Sequence, residues 1–119
     1  MTRFLAICAG GALGSGVRYL VATWLTRGAF PLGTLAVNVL GSLAIGAVMA
    51  LSLRGAVGDE LRFFLVTGVL GGFTTYSAFS YETVSLYQRG FAGLALANVG
   101  ATLLACFAAT ALVLWAGGR

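Results

Sequence analysis

Apolar and polar positions divide the chain into four long apolar runs separated by three short breaks. The runs cover about residues 4–25, 33–53, 61–87 and 91–116. Each reaches the ~20 residues that an α-helix needs to cross the hydrocarbon core of a bilayer. The first break carries Arg27 and the only proline, Pro31; the second carries Arg54, Gly55, Gly58, Asp59 and Glu60; the third is Gln88, Arg89 and Gly90. Connections this short make consecutive helices antiparallel neighbours. The pattern predicts an all-α membrane protein, a single domain over 1–119 with four transmembrane helices and both termini on one side.

The third run is not uniform. Gly71-Gly72-Phe73-Thr74-Thr75-Tyr76-Ser77-Ala78-Phe79-Ser80 places paired glycines, paired threonines and two serines where a continuous span is expected. Glycine and β-branched residues weaken a helix, and backbone loosened at membrane depth must be satisfied by protein, ion or water. This stretch therefore predicts a break near the middle of the third helix, and a place where an ion is bound or passed. Tyr76 and Phe79 are spaced i,i+3, so their rings share a face, with Thr75 and Ser80 beside them. Aromatic ring edges carry the positive part of the quadrupole and can stabilise an anion. Simple ring packing is the plainer reading of the same pair.

Other polar positions at membrane depth are few and therefore informative. Thr34 and Asn38 are spaced i,i+4 on one face of the second helix. Asn38 is either glue between helices or a source of N–H donors for an anion, with the Thr34 hydroxyl beside it. Arg18 either snorkels to the interface or raises the local anion concentration at a vestibule. Asn98, Thr102 and Cys106 recur every fourth residue, followed by Thr110, as a mildly polar stripe on the fourth helix. Glu82 is expected near the exit of its span. Gly10-xxx-Gly14, Ser42-xxx-Gly46 and Gly68-xxx-Gly72 are small-residue faces that allow close helix approach. Four spans leave little interior for a path, so oligomerisation is expected.

Composition narrows the class. Of 119 residues, 60% are hydrophobic and 8% charged, against about 25% charged in a soluble domain. The net charge of +4 comes from seven arginines against three acids. The arginines are scattered near span ends, which fits orientation and anionic headgroups and not nucleic acid. Arg3, Arg54, Arg62 and Arg119 fall on the side of the termini; Arg27, Arg89 and Arg18 fall on the other. Four against three is almost no bias under the positive-inside rule. Charge alone leaves open a single orientation set by one or two side chains, and insertion in both orientations as an antiparallel dimer. The first run passes Arg18 without a small-residue cleavage site, so it is read as a retained span.

Cys8 and Cys106 lie in apolar runs and read as small apolar fillers. With no histidine, no Cys–His pair and no carboxylate dyad, nothing suggests an enzyme. A small multidrug-type proton-coupled exporter would need a membrane carboxylate in the first helix, and none is there. A non-transporting membrane scaffold would use the small-residue faces but would not require Asn38 or the threonine-rich break.

In combination, three stretches resemble the Fluc (CrcB) family of fluoride ion channels. They are Gly14-Ser15-Gly16-Val17-Arg18-Tyr19, Pro31-Leu32-Gly33-Thr34-Leu35-Ala36-Val37-Asn38-Val39-Leu40-Gly41-Ser42, and the Gly71–Ser80 stretch followed by Tyr81-Glu82. The resemblance implies a dual-topology homodimer of four-helix protomers in the cell (inner or plasma) membrane. It implies a structural sodium ion at the dimer centre, held by backbone carbonyls of Gly71 and Thr74, with Phe73 and Thr75 as neighbours. It further implies a fluoride pathway with Asn38 as the pore asparagine and Phe79 as the second of two phenylalanines. Tyr76 stands where the first is usually found. Thr34, Ser80 and Thr102 belong to the polar track, and Arg18 to the vestibule. The implied function is passive export of F⁻ from the cytoplasm to relieve fluoride toxicity. The implied partners are fluoride, sodium, the lipid bilayer and a second copy of the chain.

Overall fold

The computed structural model describes residues 1–118, so Arg119, counted above with the termini, lies outside the described residues. Four helices are long and apolar enough to cross a membrane: Thr2–Leu25, Leu32–Leu53, Asp59–Gln88 and Ala92–Gly117. No strand occurs among the described residues. The first two are α1 (Thr2–Leu25) and α2 (Leu32–Leu53). The third begins as α3 (Asp59–Arg62), widens to a π-helical stretch over Phe63–Leu70, and tightens to α4 (Gly71–Phe73). At Thr74 and Thr75 the backbone is extended, with φ/ψ of −80°/157° and −153°/117°. Helix resumes as α5 (Tyr76–Gln88), and α6 (Ala92–Gly117) follows.

The connections are tight because glycine takes left-handed backbone at two helix ends. Beyond α2, Gly55 has φ +73° and donates to the carbonyl of Ser52, while the Ala56 N–H reaches that of Leu51. Beyond α5, Gly90 has φ +86° and repeats the arrangement, donating to Tyr87, with Phe91 donating to Leu86. Both are Schellman closures, which satisfy last-turn carbonyls and reverse the chain at once. In the second case the reversal leads directly into α6.

Packing follows the small residues. Gly10 and Gly14 of α1 lie against Gly68, Val69 and Phe73 of the third span, and Gly11 lies against Gly72. A methyl group on Gly10 would sit 2.9 Å from the Phe64 carbonyl oxygen, and one on Gly14 would collide with that of Val69. Gly46 of α2 meets Val113 of α6 at similarly close range, and the Thr110 hydroxyl donates to the Ser42 carbonyl at 3.0 Å. The small-residue faces are thus consumed inside the protomer, joining α1 to the third span and α2 to α6.

The molecule measures 48 × 34 × 20 Å. Helices with their side chains are about 10–12 Å across, so the thin dimension holds only two. Few side chains are sequestered: the buried apolar residues are Val37, Ala50, Phe79, Leu86, Ala95 and Ala109. Apart from Pro31 and six glycines at helix contacts, burial otherwise falls on the polar residues Thr34, Asn38, Thr75, Asn98 and Thr102. Large apolar side chains cover the outside, among them Leu20, Leu96, Leu104 and Phe107. That surface suits lipid or a neighbouring subunit.

Candidate functional site

The site is built around the extended pair Thr74–Thr75. In an unbroken helix the N–H of Thr75 would bind the carbonyl of Gly71. Here it donates to Asn38 Oδ1 at 2.8 Å, and Asn38 Nδ2 donates to the Thr75 carbonyl at 3.0 Å. One side-chain amide therefore holds both backbone groups of one residue. The N–H of Ala78, which would serve the carbonyl of Thr74, is taken by Thr75 Oγ1 at 3.2 Å in an N-cap. The Thr75 hydroxyl also lies 3.3 Å from Ser77 Oγ. Ahead of the interruption, Thr74 Oγ1 donates to the Leu70 carbonyl at 2.9 Å, and Ser15 Oγ of α1 donates to that of Gly72 at 3.4 Å. Gly41 lets the Thr74 methyl group approach α2, since a side chain there would occupy the same space.

A cavity of about 410 Å³ opens beside this segment. Asn38, Gly71, Thr74, Thr75, Tyr76, Phe79, Thr102 and Cys106 contribute to its walls, with leucine, isoleucine, valine and phenylalanine side chains around them. The Tyr76 and Phe79 rings lie 5.6 Å apart between centroids and are tilted by 59°. Their environments differ sharply: Phe79 is 6% exposed and Tyr76 76%. A smaller cavity of about 210 Å³ shares the two rings and Leu103 with the first and is further lined by Ser80, Thr83, Val84 and Val99. The two rings therefore belong to both cavities, one reached by Ser80 and Thr83 and the other by Asn38 and Thr102.

The remaining site candidates are placed as follows. Thr34 is buried, but its hydroxyl donates to Glu82 Oε1 at 2.7 Å and does not face the larger cavity. Glu82 Oε2 is buried with no hydrogen-bond partner among the described residues. A carboxylate expected at the exit of its span is thus drawn in against α2. Thr102 is buried, with its hydroxyl 3.5 Å from Asn98 Oδ1. Arg18 is half-buried on α1 and lines neither cavity. Gly71 is exposed, while Phe73 and Thr74 are half-buried. Sequence reasoning offered Asn38 as an anion donor or as helix glue, and the structure gives the amide a backbone-holding role that spacing does not encode. Thr83 and Ser15 were not singled out for chemistry. Their positions follow from which helix faces meet, which the sequence pattern leaves undetermined.

Residues 5–117 match the family described as CrcB-like protein, Camphor Resistance (CrcB). The chain belongs to the CrcB family. Its relatives include the fluoride-specific ion channel FluC of Anaeromyxobacter dehalogenans, 51% identical over 99% of this chain and all of the relative. FluC of Agrobacterium fabrum is 48% identical over 94% of this chain and 96% of its own. A FluC of Thermus thermophilus is 54% identical over 79% of this chain and 76% of its own. The family's match takes in all four apolar helices, so this CrcB protein is a multi-pass membrane protein.

Proposed function

We propose that this CrcB protein is a fluoride-selective channel through which F⁻ leaves the cytoplasm down its gradient. The observation that carries the reading is near-full-length identity of about half with relatives named as fluoride-specific ion channels. HF crosses membranes from acidic surroundings, dissociates in a more neutral cytoplasm and accumulates as F⁻, so a passive selective pore relieves it. Selectivity requires several weak donors in series that together replace fluoride's hydration and still release the ion. Asn38, Thr102, Ser80 and the ring edges of Tyr76 and Phe79 are such groups around two adjoining cavities. Asn38 has one amide proton beyond the one given to Thr75. Thr34 supports the track through Glu82, and Arg18 supplies positive charge near a span end.

The functional unit is an antiparallel homodimer inserted in both orientations. Three features support this: the near-even arginine distribution, a protomer only 20 Å thick in one dimension, and an apolar exterior beside the larger cavity. The interrupted third helices of two copies would then meet about a two-fold axis. A structural sodium ion fits the residues at that point. The N–H groups that a helix would aim at the Gly71 and Thr74 carbonyls are diverted to Asn38 and Thr75. Carbonyl oxygens freed in this way are hard donors suited to a small cation. Phe73 and Thr75 flank them. When bound, the ion would neutralise the negative ends of these carbonyl dipoles.

The test is fluoride release from liposomes loaded with fluoride, followed with an ion-selective electrode. Fast F⁻ efflux with far slower Cl⁻ efflux and no imposed proton gradient is expected. Equal chloride flux, or flux that strictly requires a proton gradient, would sink the channel reading.

A further inference from the structure

We infer that Asn98 is a positioning residue that sets the Phe79 ring and the Thr102 hydroxyl against one another across the anion cavity. The inference rests on the channel reading above and adds a residue to it. Asn98 is 1% exposed, the most buried polar side chain among the described residues, and it does not line the larger cavity. Its amide Nδ2 donates to Thr83 Oγ1 at 2.9 Å. The Thr83 hydroxyl in turn donates to the Phe79 carbonyl at 2.7 Å. A hydroxyl has one proton, and Thr83 spends it on Phe79, so toward Asn98 it can only accept. That requirement fixes which end of the Asn98 amide points at α5. The other end, Oδ1, is left facing along α6, where the Thr102 hydroxyl reaches it at 3.5 Å.

One amide thereby touches both walls. Through Thr83, one turn beyond Phe79, it sets the rotation of α5, and with it the direction of the Phe79 ring. Through Oδ1 it holds the Thr102 proton by a contact at the limit of hydrogen-bonding distance. Such a long bond is easily exchanged for an anion in the cavity that Thr102 lines. Asn38 braces the start of α5 from the α2 side at Thr75, and Asn98 braces the next turn from the α6 side. The two asparagines thus fix the post-interruption helix at two points, one from α2 and one from α6. Without the second brace, α5 can roll about its axis while remaining helical.

The experiment compares purified wild type with Asn98→Ala, Thr83→Val, Thr83→Ser and the Asn98→Ala/Thr83→Val double variant. All are reconstituted at equal folded protein per lipid, and F⁻ and Cl⁻ efflux are measured. Asn98→Ala and Thr83→Val are each expected to slow F⁻ efflux per channel by roughly three- to tenfold, the factor that one ordinary hydrogen bond represents. Thr83→Ser, which keeps the hydroxyl, is expected to run at the wild-type rate. The double variant should be no slower than the slower single, because both changes cut one relay. Wild-type efflux per channel in both single variants, or multiplicative slowing in the double, would overturn the assignment. Should Asn98→Ala not fold, the Thr83 pair decides: equal rates for Thr83→Val and Thr83→Ser overturn it equally. A wild type without fluoride-selective efflux would instead remove the channel reading itself.

Discussion

Replacing Asn38 by alanine tests the centre of the site most directly. Asn38 is 8% exposed and Thr75 7%, so the two hydrogen bonds between them are shielded from water. Alanine would leave both the N–H and the carbonyl of Thr75 without their partner. Each buried backbone group left unpaired costs about 1–3 kcal/mol, so the pair costs about 2–6 kcal/mol if nothing moves. The chain has one escape. Thr75 can return to helical backbone and give its N–H to the Gly71 carbonyl, which recovers stability but closes the interruption. Either outcome removes the local geometry that the proposed ion path uses. Hydrogen exchange by mass spectrometry on peptides spanning 71–80, run beside fluoride efflux, distinguishes them. An interruption that frays is expected to exchange at least ~30-fold faster at Thr75, the factor for about 2 kcal/mol. One that closes exchanges no faster. In both cases F⁻ efflux falls. Asn38→Asp keeps the acceptor for the Thr75 N–H but turns a carboxylate toward the Thr75 carbonyl and onto the path, so it too slows efflux. Wild-type exchange together with wild-type efflux in Asn38→Ala would refute the reasoning.

Two further outcomes follow from the packing and the rings. Gly14→Ala places a methyl group against the Val69 carbonyl and 2.8 Å from the Phe73 nitrogen, where overpacking costs about 1–3 kcal/mol; its thermal unfolding midpoint should fall. Gly16→Ala, with nothing within 4 Å, should keep the midpoint of the wild type, and equal effects at both positions would contradict the α1 contact. Tyr76→Phe removes a hydroxyl from a largely exposed ring. It should change stability by less than about 0.5 kcal/mol and leave the F⁻/Cl⁻ efflux ratio in place, since the ring edge is retained; loss of selectivity would assign the hydroxyl a direct part in anion contact.

Much of the helical architecture was legible in the sequence because lipid makes hydropathy an unusually strong signal. Four apolar runs of spanning length became four apolar helices, and the polar breaks that hold Gly55 and Gly90 became chain reversals. The small-residue motifs were legible as contact faces, but not what they would contact. Gly10 meets Gly68, Gly14 meets Val69 and Phe73, and Gly72 meets Gly11, all within the chain. The site was legible as a set of polar residues and much less as a set of bonds. Thr34 and Asn38 share a face, as their spacing requires, yet one binds a carboxylate and the other a backbone. Those partners depend on the rotation of the third span, which an eight-residue π-helical stretch alters before the interruption is reached. Hydrophobic pattern carries no information about such a change of helical pitch.

The interruption at Thr74–Thr75 is held open by side chains, and this explains why polar residues are buried in so thin a protein. A continuous helix satisfies its own backbone, so an apolar span needs no outside help in lipid. An extended pair in mid-span exposes N–H and carbonyl groups that each cost several kcal/mol in hydrocarbon if unpaired. Asn38 holds the N–H and carbonyl of Thr75, Thr75 Oγ1 caps Ala78, and Ser15 meets the Gly72 carbonyl. These bonds come from α1, α2 and the interrupted span itself. The N–H groups that a helix would aim at the Gly71 and Thr74 carbonyls go instead to Asn38 and to Thr75 Oγ1. Helix propensity alone would not open this segment, because closing the helix at Thr75 would satisfy Gly71 at once. The interruption is thus maintained against helix closure by bonds from α1, α2 and the interrupted span itself. The same bracing argues against a plain scaffold, in which closing the helix would be the more stable arrangement.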